Sequence, residues 1–152
     1  MSKLPFSIMK IKTIISSFLP AVLIYLFDLV VLNPLNAYLY YPRIDIPMHF
    51  FGGMSIAYAY LGLMGDLEQK KHFTADPWLK NLFIVSLVAF TAVAWEWYEF
   101  ILSIGLDIIT QPSEADTMKD LLVGTLGGLV WCLLNKLNTS RSSPKKTRSL
   151  RS

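Results

Sequence analysis

Residues 82–102 read LFIVSLVAFTAVAWEWYEFIL. As a helix rising about 1.5 Å per residue, this stretch is long enough to cross the roughly 30 Å hydrocarbon core of a bilayer. Its only charges are Glu96 and Glu99. It therefore reads as a membrane-crossing helix with two carboxylates near one end, where a charge is costly and functional by default.

Three more stretches share this character. They run over 14–32, 46–64 and 117–137, the last with its strictly apolar part confined to 121–134. The expected architecture is an all-α, four-helix polytopic transmembrane bundle over residues 1–137, followed by a basic, disordered tail over 138–152. Composition agrees: 53% of residues are hydrophobic and 16% charged, against about 25% charged in a soluble domain. The same figures exclude a disordered chain, a collagen, a coiled coil and a disulfide scaffold. Cys132 is the single cysteine, so neither an intramolecular disulfide nor a thiolate zinc site can form. It lies in an apolar run and is expected to be a small buried residue.

Lys3, Lys10 and Lys12 precede the first apolar stretch, as in a secretory signal. That stretch is longer than a typical h-region of about 7–15 residues and no small-residue cleavage site follows, so a retained span is expected. The remaining basic residues set the topology. Twelve of the 14 lie in the N-terminus, the loop at 66–81 or the tail with Lys136 just before it; Arg43 and Lys119 alone fall in or beside the loops at 33–44 and 103–116. The positive-inside rule then places both termini in the cytoplasm of a multi-pass inner (plasma) membrane protein. The basic residues are not interleaved with aromatics, which argues against nucleic acid as a partner. The tail is expected to be drawn to anionic lipid headgroups. The sequon at Asn138 would face the cytoplasm and is discounted.

With that topology, the ionisable residues fall in one layer near the outer face. Asp28, Glu96 and Glu99 lie toward the outer ends of the first and third spans. Asp45, His49, Asp116 and Asp120 lie at the outer starts of the second and fourth. Asp45 and His49 are four apart, Glu96 and Glu99 three, Asp116 and Asp120 four, so each pair can share a helix face. Carboxylates and an imidazole projecting from bundled helices are the ligand chemistry of a divalent cation. The expected metal ligands are His49, Glu96, Glu99, Asp116, Asp120 and Asp45, with Arg43 and Lys119 available to an anionic substrate group.

Plainer roles compete. Asp45, before Ile46 and Pro47, suits a helix N-cap. Ser113-Glu114-Ala115-Asp116 resembles a capping box. Asp28 can be solvated, His49 can bond a neighbouring helix, and the glutamates can pair with Arg43 or Lys119. Trp95, Trp97, Tyr98 and Phe100 suit an interfacial belt, with Trp95 or Trp97 alternatively lining a cleft. Gly52 and Gly53, then Gly124, Gly127 and Gly128, are small-residue faces that let helices approach closely. His72 is expected in solvent.

Three blocks resemble the YjdF-like bacterial inner-membrane family, which is similar in pattern to VanZ-like proteins. They are Asp45-x-x-x-His49-Phe50-x-Gly52-Gly53; Trp95-Glu96-x-x-Glu99; and Gln111 followed by Asp116-Thr117-Met118-Lys119-Asp120-Leu121, Gly124 and Gly127. Ile46 stands where that family commonly carries Lys. The resemblance implies a multi-span envelope protein and no particular reaction.

The residues thus suggest an outward-facing cation site acting on an envelope lipid or phosphate-bearing substrate. Two alternatives stand beside it: a structural membrane scaffold, and a cation- or proton-handling transporter. A transporter needs polar groups continuing inward, and Ser55, Tyr58, Tyr60, Ser86 and Thr91 in the inner halves of the spans make a poor through-path.

Overall fold

The computed structural model describes residues 11–106 and 113–142. Among the described residues there are five α-helices and no strand. They are α1 (Ile11–Phe27), α2 (Ala37–Tyr40), α3 (Asp45–Gln69), α4 (Pro77–Leu106) and α5 (Glu114–Ser142). A π turn over Asp28–Leu32 prolongs α1, and a 3-10 turn over Pro42–Ile44 leads into α3.

Among the described residues, three segments are long and apolar enough to cross a membrane: Ile11–Leu32, Pro77–Gly105 and Glu114–Asn138. The 25 residues of α3 span about 37 Å at 1.5 Å each, but glycines, tyrosines, Ser55 and His49 dilute its apolar character. The packing explains why. It lies against α1, α4 and α5, and α4 also lies against α5. A helix screened by three neighbours presents little surface to lipid, and its small residues serve close packing instead. Gly53, Ser55, Ala57, Ala59 and Met64 of α3 are all buried.

Helices α3, α4 and α5 overrun the stretches expected at 46–64, 82–102 and 117–137. A span read from hydropathy stops at the first polar residues, whereas backbone hydrogen bonding continues into the interface. Thus α5 runs to Ser142, past the start of the expected tail. Residues 143–152 of that tail, Lys3 and Lys10, and Gln111 lie outside the described residues.

The core gathers Ala57 and Met64 of α3, Ile84 and Val88 of α4, and Cys132 of α5. Cys132 is the small buried residue expected of it. Large apolar side chains are turned outward, among them Phe90 at 70%, Ile104 at 71% and Leu122 at 61% exposure. That inverted distribution suits a lipid-facing surface. Helices α3 and α5 touch through glycine. A Cβ on Gly53 would strike the Gly124 carbonyl, and one on Gly127 would strike the Phe50 carbonyl. Away from these contacts, Lys80 of α4 reaches Glu68 of α3 at 2.6 Å, and Lys70 reaches Asp66 at 2.6 Å. His72 is exposed, as expected.

Candidate functional site

The site is assembled by three helices. Asp45 and His49 come from the first turns of α3, Glu96 and Glu99 from α4, and Asp120 from α5. His49 is four residues before Gly53, and Asp120 four before Gly124. One helical turn above a backbone contact, the two side chains are therefore forced together. His49 Nε2 lies 3.9 Å from Asp120 Oδ2 and 3.2 Å from Asp45 Oδ1.

His49 belongs to two groupings with ligand atoms within 4.8 Å of one another: Asp45–His49–Asp120 and His49–Glu96–Glu99. Glu96 is 5% exposed and Asp120 4% exposed. Two carboxylates this deeply placed carry a large desolvation cost unless positive charge answers them. Trp95 Nε1 donates to Glu99 Oε1 at 2.9 Å, and the Tyr25 ring of α1 meets the Trp95 ring edge-on at 5.6 Å. Trp95 is thus a support for Glu99. Trp97, with Glu96, Phe100 and Thr117, lines a pocket of about 320 Å³ between α4 and α5.

Asp116 is not brought into either grouping. Its carboxylate Oδ1 accepts from Lys119 Nζ at 2.5 Å. Its backbone N–H donates to Ser113 Oγ at 3.2 Å, the helix-start bond of the expected capping box. Asp45 does not cap α3: it is the first helical residue, with Ile44 ahead of it, and its side chain is given to His49 and Lys119. Lys119 also reaches Asp45 Oδ2 at 3.1 Å and Asp120 Oδ1 at 3.3 Å. Its charge is therefore held by three aspartates, and neither glutamate is its partner. Arg43 is exposed at the same end of the bundle and makes no ion pair among the described residues.

Asp28 is not merely solvated. It accepts hydrogen bonds from Asn33 Nδ2 at 2.9 Å and from the Tyr38 hydroxyl. The π turn and the short α2 supply that arrangement, and neither is visible as an apolar period in the sequence. Burial, reinforced by the bond to Asp28, holds the Tyr38 phenol above its ordinary pKa. Tyr38→Phe is expected to cost about 1.5–3 kcal/mol, the range for a hydrogen bond to a charged group. The check is the thermal midpoint, with Tyr40→Phe, whose side chain is 70% exposed, expected to leave it unchanged.

Comparison with known proteins gives one positive finding. A family model described as Predicted membrane protein (DUF2238) matches residues 7–140. No curated protein and no solved structure matches the chain.

Proposed function

The chain belongs to the DUF2238 family of predicted membrane proteins, the family its YjdF-like blocks resemble, and we propose that this member is a four-span inner-membrane protein carrying a divalent-cation centre near its outer face. The ligands are His49 with Asp45 and Asp120 on one side and Glu96 and Glu99 on the other. The observation that carries this reading is the sharing of one imidazole by two carboxylate pairs, with Glu96 and Asp120 buried. Mixed imidazole and carboxylate donors from facing helices suit a transition-metal or Mn²⁺ ion.

A bound cation would act as a Lewis acid on a phosphate-bearing or lipid-linked envelope substrate and acidify a coordinated water. Arg43, exposed beside the site, is the group to hold the anion. The expected test is metal analysis of the purified protein: a stoichiometric divalent cation in the wild type, absent from Glu96→Ala. A metal-free wild type of ordinary stability contradicts the reading.

The inner hydroxyls support a closed centre over a transport path. Ser55, Ser86 and Thr91 donate to carbonyls within their own helices, and Tyr60 bonds Thr91. A scaffold without catalysis is the second reading, favoured by the Lys119 network that already answers part of the acidic charge. Glu96→Gln separates the two, since a scaffold loses thermal stability with no cellular phenotype.

Topology has its own test. In a Cys132→Ser background, Tyr41→Cys and Ser113→Cys should react with an impermeant thiol reagent in intact cells. His72→Cys should react only after permeabilisation. The reverse pattern would turn the cluster to the cytoplasmic face.

A further inference from the structure

Asp45 and Asp120 each divide their oxygens between two partners. Asp45 Oδ1 faces His49 Nε2 and its Oδ2 faces Lys119 Nζ, at 3.2 and 3.1 Å. Asp120 Oδ2 faces His49 Nε2 and its Oδ1 faces Lys119 Nζ, at 3.9 and 3.3 Å. The imidazole and the ammonium therefore stand on opposite sides of one carboxylate pair. Asp120 Oδ1 is buried and accepts no hydrogen bond, so the ammonium answers it by charge alone. The contact of Lys119 with Asp116 Oδ1, at 2.5 Å, is shorter than either.

We infer that Lys119 is a tethered counter-ion competing for the charge of Asp45 and Asp120 with a divalent cation bound on their His49 side, and that Asp116 is the outer anchor to which it withdraws when that cation binds. This rests on the cation-centre reading and adds how the centre is governed. Lys119 carries a compact charge on a flexible four-carbon stem, suited to moving between anchors while its backbone stays fixed in α5. Asp116 lies one turn nearer the start of the helix, three residues away, and is half-buried, whereas Asp120 is buried. An ammonium is monovalent, so a divalent ion that gains His49 as a ligand displaces it. Released toward Asp116, the same ammonium stands beside the bound ion, where a phosphate-bearing group would meet it.

Titration of the full chain in detergent with Mn²⁺ tests this. Lys119→Gln should bind Mn²⁺ at least tenfold more tightly than the wild type, because nothing competes for Asp45 and Asp120. Asp116→Asn, which leaves the competitor in place and removes its outer anchor, should bind several-fold more weakly. Modification of Lys119 by a water-soluble amine-reactive ester, followed by peptide mass spectrometry, should rise as Mn²⁺ saturates the protein. This last readout uses the unmutated chain, so it holds even if Lys119→Gln folds poorly. Wild-type binding that Lys119→Gln leaves unchanged or weakens, or Lys119 labelling indifferent to Mn²⁺, overturns the inference and leaves the centre standing. Absence of Mn²⁺ binding in the wild type and both variants overturns the centre and the inference together.

Discussion

Gly53→Ala should be the most damaging single-methyl addition in the molecule. The new Cβ would be driven into the Gly124 carbonyl of the facing helix. Overpacking costs about 1–3 kcal/mol where side chains can yield. Here the obstacle is backbone, so the upper end, about 3 kcal/mol, is the expected loss. For a chain of this size that lowers the thermal midpoint by roughly 6–12 °C. Gly127→Ala should behave alike, since its Cβ would meet the Phe50 carbonyl. Gly52→Ala is the matched control. Nothing lies within 4 Å of its Cβ position, and alanine in a helix is favoured over glycine by roughly 0.5–1 kcal/mol, so its midpoint should hold or rise. The first two substitutions also push α3 from α5, and must therefore weaken cation binding without touching a ligand. Equal midpoints for Gly52→Ala and Gly53→Ala would contradict the close backbone contact.

His49→Ala should have the largest effect on cation binding. Asp45, Asp120, Glu96 and Glu99 each belong to one of the two ligand groupings, while His49 belongs to both. Losing a group that only orients a ligand costs 10–100-fold in metal affinity, and losing the shared ligand itself should cost at least about 100-fold. Asp116→Asn, outside both groupings, should cost only several-fold. Equilibrium dialysis against Mn²⁺ orders these variants, and a His49→Ala protein that binds as well as Asp116→Asn would refute the shared-imidazole geometry.

Much of this site was legible in the sequence because helical spacing is a strong constraint. The four-residue step from Asp45 to His49 and the three-residue step from Glu96 to Glu99 placed each pair on one face, and the alternating loop charge put those faces at one level. The glycines at 53, 124 and 127 announced close approach, though not which carbonyl each would meet. What spacing cannot show is a competition between partners. Asp116 and Asp120 sit on one face of α5, yet Asp116 is drawn off by Lys119 and Asp120 goes to His49 and Lys119. Lys119 itself read as a substrate-binding cation and is engaged by three aspartates. Asp45 read as a cap because Pro47 follows it, but the 3-10 turn before α3 makes it helical and frees its carboxylate for the site. The Asp28–Tyr38 pair depends on a π turn and a four-residue helix, elements too short to leave a hydrophobic period.

The position of α3 carries the same lesson at the level of the fold. Among the described residues it is the one long helix that does not qualify as a membrane span, and it packs against the other three. A central helix in a membrane bundle is chosen for small size and polar contacts, so the segment that organises the site need not be lipid-like along its length.

Pulsed electron paramagnetic resonance of the Mn²⁺-loaded protein tests the cation centre most directly. A nitrogen coupling from one imidazole should be present in the wild type and absent from His49→Ala. A bound Mn²⁺ with no nitrogen coupling, or with one that survives His49→Ala, would contradict that centre.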